Sequence, residues 1–161
     1  SIALLSVGGT LTHDGGILQQ SQTVGVGSAV HLLQIEDGSS NIKYRGVDLT
    51  TDALTDLGLV TVAIEAIDLA SGQYCTNTGG GSPTYADRCF TITPANNGPA
   101  LVRLWALTSE LNGIPQANLS VYRSSSGWTE LLTNRAAGND GGAYSYAEGS
   151  TPGFSDFLLG H

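Results

Sequence analysis

The feature that most restricts the fold of this chain is how soon each apolar run stops. Ile2–Val7 ends at Gly8-Gly9, Ile17–Val24 at Gly25, Ser28–Glu36 at Asp37-Gly38, and Leu59–Glu65 soon after. Gly, Asn, Asp and Ser clusters recur roughly every ten residues, with almost no helical period between them. Runs of this length, rich in Val, Ile, Thr and aromatics, read as short antiparallel strands joined by tight turns. The expectation is an all-β chain, an antiparallel β-sandwich of immunoglobulin-like or jelly-roll-like kind, with roughly ten strands. No internal repeat or linker divides it, and its length fits one domain.

Along the chain, Thr10–His13, Asp14-Gly-Gly16 and Ile17–Val24 read as a hairpin on an Asp-Gly turn. Ser28–Glu36 and the alternating Ile42–Asp48 are strands. Leu49–Leu57, with Thr and Asp for caps and Gly58 to end it, is a candidate helical turn. Ala100–Leu107 is the strongest buried strand. Asn118–Arg123, Ser124–Gly127 and Trp128–Thr133 form the clearest hairpin. Asn134–Gly142 is a polar loop, and Ala143–Glu148 and Gly153–Gly160 are the last strands.

Composition excludes some partners. With six Lys and Arg against fourteen Asp and Glu, the formal charge is −8, and no basic patch is present to neutralise phosphates. Nucleic acid and anionic membrane surfaces are therefore not expected partners. No apolar stretch reaches the ~20 residues of a membrane span, so no membrane insertion is expected. No basic n-region opens the chain, as in a secreted protein after signal-peptide removal or an excised domain.

Cys75 and Cys89 admit a disulfide, half of a metal site or a redox pair. A dithiol motif would need C-x-x-C, and zinc would need closely spaced pairs with further ligands. Neither pattern occurs, and His13, His31 and His161 are far apart. One intradomain disulfide is the reading that remains, and it implies an oxidising compartment, extracellular or at the cell surface.

Catalytic signals are weak. There is no G-x-S-x-G elbow, and His31 sits mid-strand, where a polar-face side chain is the ordinary reading. No catalytic residue and no resident metal or cofactor is expected; the chain reads as a non-enzyme. Calcium has two candidate loops, Glu36–Asn41 and Asp48/Asp52/Asp56, neither of EF-hand form. Trp105 and Trp128 are candidate ligand-facing aromatics for glycans. Asn118-Leu-Ser120 matches an N-glycosylation sequon within an expected strand.

The apolar start has a second reading. Residues 1–9 form either the first strand of the body, 10–161, or a donor strand in which Ile2, Ala3, Leu4, Leu5 and Val7 fill an open edge of the next subunit. Head-to-tail donation does not close, so it builds a filament, a homopolymer.

Several phrases occur in order: Lys43-Tyr-Arg-Gly-Val-Asp-Leu-Thr-Thr51, Asp56-Leu-Gly58 with Val60-Thr-Val62, Arg88-Cys-Phe-Thr-Ile-Thr-Pro94, Gly127-Trp128, and Phe154-Ser-Asp-Phe157 with Leu159-Gly160. From about Gly9 onward the chain resembles a β-rich module of large secreted and surface proteins of filamentous, Chloroflexota-type bacteria. The resemblance implies an extracellular, non-enzymatic β-sandwich used in surface architecture or adhesion. The expected function is thus a structural subunit of a surface fibre or pilus-like filament. The alternative is an adhesive or carbohydrate-binding module of a larger surface protein, with glycans or other surface proteins as partners.

Overall fold

The computed structural model describes residues 4–7, 10–13, 15–67 and 83–161, with only the backbone of 4–7 and 10–12. In chain order the strands are β1 (Leu4–Val7), β2 (Thr10–His13), β3 (Ile17–Val24), β4 (Ala29–Leu32), β5 (Ile35–Glu36), β6 (Ile42–Tyr44), β7 (Val47–Thr50) and β8 (Gly58–Ala66). They continue with β9 (Tyr85–Pro94), β10 (Ala100–Leu107), β11 (Ser120–Ser124), β12 (Trp128–Glu130), β13 (Ala136–Asn139), β14 (Tyr144–Thr151) and β15 (Asp156–Gly160). Short 3₁₀ turns cover Thr108–Glu110 and Gln116–Asn118.

Every pairing among the described residues is antiparallel. A six-stranded sheet runs β12-β11-β15-β9-β8-β3 and a five-stranded sheet β13-β14-β10-β7-β4, while β1-β2 and β5-β6 form two small two-stranded sheets. The two large sheets share one core, because period-2 alternation turns one side of each strand inward. From the first come Val60, Val62 and Ile64 of β8, Phe90 and Ile92 of β9, and Phe157 and Leu159 of β15. From the second come Val47 and Leu49 of β7, Val102, Leu104 and Ala106 of β10, and Ala147 of β14. The chain is all-β, as its turn spacing implies.

Several elements differ from their sequence reading, each for a local reason. The expected hairpin across Asp14–Gly16 is not made: β2 pairs with β1, whereas β3 runs its full length along β8. Gly15 and Gly16 both take positive φ, but the apolar side of β3 is satisfied by a distant strand rather than by its neighbour. Ser28–Glu36 breaks at Leu33, whose φ is 55°. Leu49–Leu57 is not helical: Leu49 is drawn into the core through β7, and Asp52 and Asp56 accept bonds from Leu54 N–H and Gly58 N–H, closing turns instead of capping a helix. Asn118 ends a 3₁₀ turn, exposed, and not in a strand. The expected polar loop at Asn134–Gly142 contains β13, an Ala-Ala-Gly-Asn strand held by pairing to β14.

Ile42–Asp48 is interrupted at Gly46, where the backbone passes against the core. A Cβ there would lie 2.7 Å from Ile64 Cδ1 and 2.9 Å from both Leu32 O and Leu33 Cβ. Gly46→Ala is accordingly expected to destabilise by about 1–3 kcal/mol, the usual penalty of overpacking. Urea denaturation measures it; a loss within about 0.5 kcal/mol, the scatter of surface substitutions, would show that the neighbours simply give way.

Candidate functional site

The outer face of the five-stranded sheet carries a row of charges one residue per strand. Register sets His31 opposite Asp48, Asp48 opposite Arg103, and Arg103 opposite Glu148. His31 Nδ1 lies 2.7 Å from Asp48 Oδ1, and Arg103 reaches Glu148 Oε2 at 2.6 Å and Asp48 Oδ2 at 3.9 Å. Cross-strand opposite charges of this kind support a sheet face. His31–Asp48 resembles the orienting half of a triad, but among the described residues no serine, threonine or cysteine side chain bonds His31.

Trp105 belongs to the same face, but the residue is only 3% exposed. Arg45 lies 4.5 Å above it, Tyr146 packs 4.8 Å from it, and its Nε1–H donates to Asp48 Oδ2 at 2.9 Å. The expectation of a ligand-facing ring at Trp105 is thus corrected: its faces are taken by the protein. Trp128 is half-buried on the outer face of the six-stranded sheet, packed on the cluster of Ile67, Tyr85 and Leu158. The cavity it lines with Ile17, Glu65, Thr91 and Asp156 is about 60 Å³. Ligand clefts usually measure about 300 Å³ or more, so this space suits water better than a sugar ring.

The acidic loops are engaged by their own neighbours. Asp37 accepts from the Asn41 side chain and from the Ser39 and Asn41 N–H groups, and Lys43 lies 3.2 Å away. These bonds, Asn41 foremost, hold its carboxyl far below the usual carboxylate range. Asp48 serves the charged row, while Asp52 and Asp56 close turns. Among the described residues no three His, Cys, Asp or Glu side chains converge on a metal position.

Sequence reasoning missed the most unusual group. Arg88 is fully buried between the sheets. Its Nη1 donates to Arg45 O at 2.7 Å and Trp105 O at 3.1 Å, and Nη2 donates to Glu110 Oε1 at 3.2 Å. Nε sits 2.7 Å from Glu110 Oε2, an ion-pair contact without hydrogen-bond geometry. Tyr44 lies under the guanidinium at 4.5 Å. Burial opposes the Arg88 charge, but Tyr44 and Glu110 outweigh it and keep the pKa above the ordinary arginine value. A signal did exist: in Arg88-Cys-Phe-Thr-Ile-Thr, Arg88 is in phase with the buried Phe90 and Ile92, and β9 pairs on both sides.

The remaining candidate is an edge. β3 ends the six-stranded sheet, with a hydrogen-bonded neighbour on one side only among the described residues. Its sequence, ILQQSQTV, contains no charge and no proline, and it pairs with β8 from Ile17–Glu65 to Val24–Gly58 without a bulge. The other edges are shorter: β12 has three residues, and β4 and β13 have four each. Just ahead of β3 stands the β1-β2 hairpin, in neither large sheet. Of the expected donor residues, Leu4, Leu5 and Val7 lie in β1, opposite His13, Thr12 and Thr10 of the same chain. Ile2 and Ala3 lie outside the described residues. So does Cys75, while Cys89 stands on the outer side of β9.

Compared with known protein families and with curated proteins, the chain matches none.

Proposed function

We propose that this chain is a structural subunit of an extracellular surface fibre that assembles by β-strand donation. The N-terminal strand, carrying the apolar run from Ile2 to Val7, adds to the open edge of β3 in the next subunit. The observation that carries this reading is the state of β3: eight residues, uncharged, unbulged and, among the described residues, paired on one side. Proteins ordinarily blunt such edges with lysine, proline, bulges or shortness, because a bare edge templates pairing with another chain. β1 supplies a strand of suitable kind, held in a two-stranded sheet, and isolated hairpins are marginal in water. Regular use of the edge turns an aggregation hazard into assembly, and repetition head to tail gives an open filament.

The extracellular part of the proposal rests on a Cys75–Cys89 bridge. Among the described residues no cysteine is a free thiol, and structural disulfides belong to oxidising compartments. The resemblance to bacterial surface modules points to the same setting, and the function requires no catalytic group.

Electron microscopy of the full chain and of a variant lacking residues 1–9 tests the mechanism. The full chain is expected to form filaments and the truncated protein to remain a folded monomer, its folding checked by circular dichroism. On the acceptor side, Gln19→Lys places a charge on exposed β3 and is expected to reduce filament formation at least tenfold while leaving the fold intact. Filaments of undiminished length from the truncated protein would rule donation out.

A further inference from the structure

We propose that His13 is an acid-sensitive latch that holds the β1-β2 hairpin against the end of the sandwich, so that acidification frees β1 for the neighbouring subunit. The proposal rests on the donation reading above and names its regulation. His13 is the last residue of β2, opposite Leu4 of β1, and it is 6% exposed. Its Nε2 is 3.1 Å from Gly16 O and its Nδ1 is 3.3 Å from the Tyr44 hydroxyl. A neutral ring satisfies both: Nε2–H donates to the carbonyl, and Nδ1 accepts from the phenol. The ring also meets Tyr44 edge-on, at 6.1 Å between centroids.

Tyr44 also carries the Arg88 guanidinium, 4.5 Å over its ring. A proton on Nδ1 would replace an acceptor with a donor facing the phenol and add a second positive charge to the buried one. Among the described residues, the groups facing this position are Tyr44 from β6 and Arg88 from β9. Glu110 is committed to Arg88, Tyr144 from β14 stands 5.8 Å from the guanidinium, and among the described residues no carboxylate touches His13. Consistently, burial first and the Arg88 charge second hold the His13 pKa below its ordinary 6.5, against the smaller raising effect of the Gly16 carbonyl.

The sign follows from linkage. A histidine whose pKa is lower when docked binds more protons when undocked. Docking is therefore complete above about pH 6.5 and weakens as pH falls, up to roughly tenfold per pH unit until the docked pKa is reached. The hairpin depends on this anchor more than a sheet strand would, since among the described residues β1 and β2 pair only with each other.

Hydrogen exchange of the full chain, read by NMR at residues 4–13 and corrected for intrinsic rates, tests the latch between pH 7.5 and 5.5. Protection in the hairpin is expected to fall about tenfold while that of β8 and β9 stays constant, and His13→Gln is expected to remove the pH dependence. Should His13→Gln fail to hold the hairpin at any pH, direct titration of the His13 ring in the unmodified protein decides: a pKa at or above 6.5 overturns the latch. Unchanged hairpin protection at pH 5.5 overturns it too. A hairpin that opens in acid without any gain in filaments keeps the latch and overturns donation, so the two readings fail separately.

Discussion

Glu110→Ala is expected to lower folding stability by about 3–5 kcal/mol, the usual loss when one partner of a buried ion pair is removed. Arg88 is fully buried, so without Glu110 its charge has no carboxylate and little water. Its two carbonyl partners, Arg45 O and Trp105 O, remain but do not neutralise it. The same carboxylate also accepts from Leu107 N–H at 2.8 Å, so the turn after β10 loses an anchor. Arg88→Met in the Glu110→Ala background is expected to recover more than 1 kcal/mol, because an apolar chain between Tyr44 and Tyr144 carries no uncompensated charge. A double-mutant cycle in urea measures the coupling directly. If Glu110→Ala costs under about 1 kcal/mol, the guanidinium is being rehydrated and the pair does not join the sheets. The pair also stands beside the proposed latch: Arg88 projects from β9 and bonds the far sheet, at the end where His13 meets Tyr44.

The residues themselves show how much of this was legible in advance. Strand class, turn positions and the alternation of β8, β9 and β10 are local properties, and period-2 patterning exposes them. Partners are not local. Ile17–Val24 reads as a strand from its own residues, but nothing in them says that it pairs with β8 or that its other side has no partner among the described residues. The same holds for Leu4–Val7, visible as an apolar run and silent about β2. Trp105 shows a different limit. Alternation correctly turns it away from the core, and an outward ring on a sheet face ordinarily reads as exposed. It is buried because Arg45, from the break between β6 and β7, folds over it. β13 escaped notice because Ala-Ala-Gly-Asn has no β-forming side chains. Its pairing to β14 suits glycine at 138, where a Cβ would lie 2.7 Å from the Tyr146 hydroxyl.

Removing both cysteines, as Cys75→Ala with Cys89→Ala, is expected to cost about 3 kcal/mol on the chain-entropy view of a loop this long. The position of Cys89 explains how a bridge there would act as a clamp. It pairs with Glu65 of β8 and Leu158 of β15 on the outer side of the sheet. There it packs with Ile67, Tyr85 and Leu158. Ile67 N–H donates to Asp87 O and Thr84 exchanges bonds with His161, so the strands entering and leaving the loop are already fixed by the sheet. A bridge across that loop therefore constrains mainly the unfolded chain, and alanine avoids placing a hydroxyl among apolar side chains. Reducing the unmodified protein with a phosphine should lower its urea midpoint as far as the double substitution does. Equal losses assign the effect to the cross-link. A larger loss in the alanine variant assigns the difference to packing around Cys89. A midpoint insensitive to reductant removes the bridge, and with it the main argument for an oxidising compartment, while the open edge of β3 and its expected use in assembly stand unchanged.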